Sequence, residues 1–309
     1  MRSVQDNYGR VLTGLRVSVT QRCNLNCPHC HREGQLPART EMSPDEIGTI
    51  VSVAASLGVR KVKITGGEPL LRKDICEIVE AIRPHVAEIS LTTNGILLDR
   101  YARSLKKAGL DRINISLHSL SNETMRKIVG RECVEEVKSG IAVARDAGLE
   151  PIKVNMVVLR DVNHDEIPDM IEFASRTGAI LQLIELAADR SGCHEEYFRR
   201  HHYPLEELES RLASEASSIS YNELHRRAKY RLTSNGRETT VEVVRSMHNS
   251  AFCSNCTRLR LTSDGLLKGC LYENDGHLDV LGALRSGAGP DRLSELFLSC
   301  MSRRRPYWT

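Results

Sequence analysis

Apolar and polar positions follow one recurring scheme along the first two-thirds of the chain: a short β-rich apolar run, then a helical pattern. Residues 15–19 predict a strand that runs into a polar, cysteine-bearing loop. Ser43-Pro44-Asp45-Glu46 reads as a capping box with proline at the first helical position, and its helix should stop near Gly58. Further strands are predicted at 62–65, 89–92, 112–117, 152–158 and 181–186. Helices follow at 74–82, up to Gly109, up to Gly148, and from a second capping box at Asn163-His164-Asp165-Glu166 to Gly178. Six strand-then-helix units predict a parallel sheet with right-handed crossovers. Such a sheet curls into a partial barrel or lies open, and in either form ligands bind at the carboxyl ends of its strands.

From about Ala187 the scheme changes. Residues 204–212 look helical, and Ser234-Asn235-Gly236-Arg237 between two β-rich runs signals a hairpin. Asp264-Gly265 turns a second hairpin, with Cys256 before it and Cys270 after it, so the pair can close back on one metal centre. Arg303-Arg304-Arg305 reads as a solvated tail.

With 309 residues, 40% of them hydrophobic, the chain can bury a large α/β domain and a smaller one without disulfides. The start is polar and no apolar run approaches membrane-spanning length, so a cytoplasmic protein with reduced thiols is expected, with no membrane partner. A net charge of +3 is too small to imply nucleic acid. Of the ten cysteines, Cys76, Cys133, Cys193 and Cys300 lack ligand spacing and read mostly as buried small hydrophobes.

The other six form two sets. Cys23-x3-Cys27-x2-Cys30 offers three thiolates in one loop, which would leave one iron of a 4Fe–4S cluster open. Cys253, Cys256 and Cys270 offer three more. Structural zinc, with His29 or His31 as fourth ligand, competes for such spacings. Gly66-Gly67-Glu68-Pro69 after the second strand is either a tight turn or a place where a ligand meets backbone. Lys63 and Lys153 each interrupt an otherwise apolar strand, and a charge there needs a partner.

The cysteine loop, the Gly-Gly-Glu-Pro loop and Cys253-x2-Cys256-Thr-Arg258-Leu-Arg260-Leu-Thr-Ser-Asp-Gly265-x4-Cys270-Leu together resemble the GTP 3′,8-cyclase family of radical S-adenosylmethionine (SAM) enzymes, the molybdenum cofactor biosynthesis protein A family. The resemblance spans residues 15–271. It implies an α/β fold, an incomplete (β/α)6 TIM-type barrel over residues 1–190, with a smaller C-terminal α+β domain over residues 191–309 closing its opening. It implies two 4Fe–4S clusters, on Cys23, Cys27 and Cys30 and on Cys253, Cys256 and Cys270, together with SAM held by His29, Gly67 and Ser116. GTP would meet Arg16, Lys63, Thr92, Lys153, Arg258 and Arg260. The activity implied is a lyase reaction: a 5′-deoxyadenosyl radical takes the 3′ hydrogen of GTP, and the ribose carbon closes onto C8 of guanine. The product is (8S)-3′,8-cyclo-7,8-dihydroguanosine 5′-triphosphate, the first step of molybdopterin synthesis. An electron donor and a downstream cyclic pyranopterin monophosphate synthase follow as partners, and a homodimer is compatible.

Three features depart from the family pattern: an ending in Pro306-Tyr307-Trp308-Thr309 in place of Gly-Gly, Gln182 where an arginine is common, and Ala187 where a methionine is common. The alternatives are another radical SAM enzyme with an auxiliary cluster, such as a peptide-modifying one, and a non-catalytic zinc or iron–sulfur protein.

Overall fold

The computed structural model describes residues 4–35, 40–222, 224–273 and 275–309. All six predicted strands are present: β1 Gly14–Ser18, β2 Lys61–Thr65, β3 Glu88–Thr93, β4 Arg112–Ser116, β5 Ile152–Val158 and β6 Ile180–Glu185. They pair in parallel, each with its predecessor in sequence. Helices α1 Pro44–Ser56, α2 Ile75–Ile82, α3 Leu98–Ala108, α4 Asn122–Val129, α5 Val134–Asp146 and α6 Ile167–Thr177 fill the connections.

Local chemistry explains the helix boundaries. Ser43 accepts from the Glu46 N–H at 3.2 Å, and the Glu46 carboxylate accepts from the Ser43 N–H at 2.8 Å, closing the predicted capping box of α1. Buried Ile47, Ile50, Val51 and Ala54 then recur at helical spacing and carry that face onto the core. The second predicted capping box does not form. Asn163 spends its side chain elsewhere, accepting from the Leu159 N–H at 2.7 Å and donating to the His118 and Val157 carbonyls at 2.8 and 2.9 Å. Those long-range bonds fully satisfy its amide, and Glu166 instead accepts from the Ser119 hydroxyl at 2.5 Å.

Within the strands one face is apolar and the other polar. Val62, Ile64, Ile89, Leu91, Ile113, Ile115, Leu181 and Leu183 are buried beneath the helices. Arg16, Lys63, Asn114, Lys153 and Gln182 occupy alternate positions and so face the other way. There the polar groups satisfy one another. Lys63 donates to Asn114 Oδ1 at 3.1 Å, skipping β3, and Asn114 donates to Gln182 Oε1 at 3.2 Å, skipping β5.

The later hairpins join this same sheet. β7 Ser218–Tyr221, β8 Ala228–Ser234 and β9 Arg237–Val244 extend one edge, with β9 parallel to β6. β10 Arg258–Leu261, β11 Leu266–Lys268 and β12 Leu278–Asp279 extend the other, with β10 parallel to β1. Among the described residues the order is β12-β11-β10-β1-β2-β3-β4-β5-β6-β9-β8-β7. Asn235 and Gly236 make the predicted β8–β9 turn with φ of 48° and 74°, the left-handed region that such a two-residue turn demands. A helix, Glu206–Glu215, overlaps the predicted 204–212 segment, starting two residues later and ending three later.

One expectation fails at the carboxyl end. Arg303 and Arg305 are exposed, but Arg304 is only 2% exposed. It is buried because Asp6 and two backbone carbonyls surround its guanidinium. No described helix is long and apolar enough to cross a membrane.

Candidate active site

A cavity of about 440 Å³ lies at the carboxyl ends of the strands, a volume suited to a small molecule. Both cysteine sets line it. Cys23 and Cys30 are exposed and Cys27 is half-buried, in an irregular loop between β1 and α1. Asn94 donates to Asn24 at 2.7 Å and Asn26 N–H donates to the Val129 carbonyl at 3.2 Å, so the loop is tied to the ends of β3 and α4.

The Gly-Gly-Glu segment anchors that loop from the other side. Gly67 N–H donates to the Thr20 carbonyl at 2.7 Å and Glu68 N–H to the Arg22 carbonyl at 2.8 Å. A Cβ on Gly67 would lie 2.3 Å from the Arg22 carbonyl oxygen. The glycines therefore serve a close approach of the chain to itself, just ahead of Cys23, as well as lining the cavity. Glu68 is buried and accepts from Leu70 N–H, Thr93 Oγ1 and Asn94 N–H, at 3.0, 2.7 and 2.7 Å, which locks the β2 and β3 ends together.

The second set is built differently. Cys253 is buried in the short helix Ser250–Ser254, which Asn249 caps by accepting from Phe252 N–H at 2.9 Å. Cys256 precedes β10 and Cys270 follows β11, at the open end of the predicted hairpin.

Electrostatics separate the two. Burial, then the neighbouring Cys30 and Cys23, pushes the Cys27 thiol up to about 12. Three thiols held this close resist ionising together, and a bound cation would reverse that. Burial works against ionisation of Cys256 too, but Arg304, Arg258 and Arg260 outweigh it and hold its thiol below the ordinary value. Both donor sets fit an iron–sulfur cluster, which takes thiolates and spreads them over a cube of metals. Among the described residues no three His, Cys, Asp or Glu side chains converge tightly enough for a single ion. The spare cysteines divide: Cys133 and Cys300 are buried, Cys76 and Cys193 half-buried.

Arginines dominate the wall between the sets. Arg16, on β1, and Arg260, on β10, sit side by side in register and share Glu33, each with a contact at 2.8 Å. Thr65 donates to the same carboxylate at 2.9 Å. Glu33 is held at about 2, because Arg16 and Arg260 overcome the opposing cost of its burial. Arg258 pairs with no carboxylate among the described residues, and burial followed by its neighbours Arg260, Arg16 and Arg227 pulls it down to about 9. Such crowded positive charge is relieved by an anion.

Of the residues expected to meet SAM or GTP, His29, Gly67, Ser116, Arg16, Thr92, Arg258 and Arg260 all line the cavity. Lys63 and Lys153 lie deeper. Lys63 reaches Asn114, and Lys153 makes a contact at 2.5 Å with Glu242, a fully buried carboxylate on β9 that also takes a bond from Gln182. Burial draws Lys153 down to about 8. His29 is neutral, lowered to about 4 by burial, and its Nδ1 has no partner. His225, Arg304 and Trp308 also line the cavity, and each keeps a buried nitrogen with no hydrogen bond among the described residues.

Glu33, His225, Asp6, Arg10 and Arg304 carry no signal in sequence spacing. Trp308 does: it belongs to the unusual ending, and it folds inward, with its backbone N–H donating to Cys253 Sγ at 3.4 Å.

The family model described as "Radical SAM superfamily" matches residues 17–174, and one described as "Molybdenum Cofactor Synthesis C" matches residues 179–309. A Pyrococcus abyssi protein described as "Probable GTP 3′,8-cyclase" is 50% identical over 98% of this chain and 99% of its own. The chain belongs to the GTP 3′,8-cyclase family. A Methanothermobacter thermautotrophicus relative with the same description is 48% identical over 99% of both chains. Among solved structures, Streptococcus suis SuiB bound to S-adenosylmethionine superposes with a TM-score of 0.70 at 16% identity, over 94% of this chain and 69% of SuiB. At that identity the likeness shows a radical SAM fold and nothing of the substrate.

Proposed function

We propose that this member of the GTP 3′,8-cyclase family is itself a GTP 3′,8-cyclase, a lyase that opens molybdopterin synthesis. The observation that carries the reading is one cavity holding both three-cysteine sets with unbalanced arginine charge between them. Cys23, Cys27 and Cys30 would hold one 4Fe–4S cluster, and Cys253, Cys256 and Cys270 the other. Clusters with SAM supply reductive cleavage of SAM and a carbon radical able to abstract hydrogen.

The chain's own residues do the rest. His29, Gly67 and Ser116 line the same cavity as the first set and would hold SAM. Arg258, which pairs with no carboxylate among the described residues, offers its guanidinium fork to a triphosphate with bidentate geometry that lysine lacks, and Arg16 and Arg260, both tied to Glu33, add positive charge beside it. Thr92 adds a hydroxyl at the end of β3. Lys63, whose charged form burial and the surrounding cations disfavour, and Lys153, paired with Glu242, keep the polar face of the sheet ordered. Tyr307 and Trp308 close the second-set side against water, braced by Arg190, which donates to the Tyr307 carbonyl at 2.7 Å. Arg258 rises from register with Gly14 on β1, so its place beside Arg16 and Arg260 is fixed by backbone pairing. Gln182 is engaged with Asn114 and Glu242 and is unavailable to phosphate.

The wider reading follows the same line. Bonds that skip β3 and β5 support a sheet curved into an incomplete (β/α)6 barrel, closed by residues 191–309. The product would leave for an enzyme that rearranges it to cyclic pyranopterin monophosphate, and a cytoplasmic one-electron donor would reduce the clusters.

The test is an anaerobic incubation of reconstituted protein with SAM, a reductant and either GTP or ATP. Cyclised product from GTP alone is the expected mass-spectrometric result. Release of 5′-deoxyadenosine with GTP unchanged would overturn the reading, and modification of an added peptide would favour a peptide-modifying enzyme.

A further inference from the structure

Both chain ends converge on the second cysteine set through one buried ionic group. Asp6 Oδ1 accepts from the N–H groups of Tyr8 and Arg10 at 2.9 and 3.0 Å, folding residues 6–10 into a tight turn. Its Oδ2 accepts from Arg10 Nε at 2.6 Å and stands 3.6 Å from Arg304 Nη1, at the other end of the chain. The three side chains are 0%, 4% and 1% exposed.

The two guanidinium groups then reach outward to backbone that carries the cysteines. Arg10 Nη1 donates to the carbonyl of Cys253 at 3.1 Å. Arg304 Nη2 donates to the carbonyl of Cys256 at 2.6 Å, and its Nε to that of Gly269, beside Cys270, at 3.3 Å. Every ligand segment of the set is thus held by one of two arginines, and Asp6 fixes both. A planar fork with donors in fixed directions can hold two carbonyls at once; an ammonium on a flexible stem cannot hold that geometry. The group has one net positive charge, which suits an anionic thiolate-bound cluster, and Arg10 Nη2 and Arg304 Nη1 keep donor capacity.

We infer that Asp6, Arg10 and Arg304 are positioning residues that assemble the Cys253, Cys256 and Cys270 set, so that the second cluster forms only when both chain ends are docked. This rests on the two-cluster reading. It gives the termini a task that sequence spacing does not reveal: they set in place ligands lying about 250 to 260 residues away from Asp6.

The experiment uses full-length protein and the variants Arg304→Met, Arg304→Lys and Asp6→Asn, each reconstituted anaerobically. Wild type should hold about eight irons and Arg304→Met about four, while the spectral change that SAM induces in the first cluster persists. Arg304→Lys should fall between them. In cluster-free protein, site-resolved alkylation of Cys256 and Cys270 should rise about tenfold in Arg304→Met, as in a locally opened segment, with Cys23, Cys27 and Cys30 unchanged. Eight irons in both wild type and Arg304→Met would overturn this inference alone. A uniform rise at all six cysteines would overturn it too, showing general loosening. Four irons in wild type would overturn the two-cluster reading beneath it.

Discussion

The two cysteine sets open into one cavity but are built on opposite principles. The first is a short loop whose three thiols are fixed by spacing within eight residues and by backbone contacts from its immediate surroundings. Burial and the neighbouring Cys30 and Cys23 push the Cys27 thiol up to about 12. The second is drawn from a helix, two strands and both chain ends, and its arginines already hold Cys256 below the ordinary value. The set made by local spacing leaves Cys27 without countercharge; the set made by long-range packing brings countercharge to Cys256, while burial still pushes the Cys270 thiol up. Glu33 joins them, since it directly follows the first loop yet binds Arg260 of the second.

Variants can break this contrast one side at a time. Gly67→Ala should have the largest effect, because its Cβ would meet backbone carbonyls at 2.3 and 2.6 Å that cannot swing away. The cost should be about 3 kcal/mol or more in thermal or denaturant unfolding, at the upper end of overpacking, and the first cluster should be lost while the second is kept. Retention of both clusters at wild-type stability would refute the close-approach reading of this loop.

Glu33→Gln cuts the link between the sides. A carboxylate held at about 2 contributes stability that is complete above its ordinary value near 4.5 and is lost as pH falls from there towards 2. At neutral pH that contribution is on the order of 3 kcal/mol. Unfolding measured across that window should be steep for wild type and flatter for the variant. An equally steep variant would place the acid sensitivity in another carboxylate.

Ser43→Ala touches neither set. It should cost about 1 kcal/mol through the lost α1 cap and leave iron content and turnover unchanged. Loss of either cluster in this variant would show that the two sides are less separate than their contacts imply.

What the sequence disclosed follows the same division. Strands β1 to β6 were legible to within a residue or two because period and turn chemistry are local, and so were the Ser43 box and the Asn235-Gly236 turn. The first cysteine loop was legible for the same reason. The pairing of β9 with β6 and of β10 with β1 was not, because register between distant strands leaves no periodic mark. Asn163 reads as a cap until a carbonyl from His118 claims its amide. Arg304 reads as solvated in a run of three arginines until Asp6, almost three hundred residues earlier, buries it. Glu33 carries no mark of its role in the sequence; it meets Arg16 and Arg260 from a left-handed backbone, φ 56°.

The division of labour between the sets is tested most directly by comparing Cys27→Ala with Cys270→Ala in the presence of SAM, GTP and reductant. Cys27→Ala should abolish 5′-deoxyadenosine formation. Cys270→Ala keeps every ligand of the first cluster, so it should still release 5′-deoxyadenosine slowly. Its cyclised product should fall on the order of 100-fold or more, because a substrate misplaced by about 1 Å loses that much. Cyclisation by Cys270→Ala at the wild-type rate would show that the second set is structural and would contradict the account of how GTP is held.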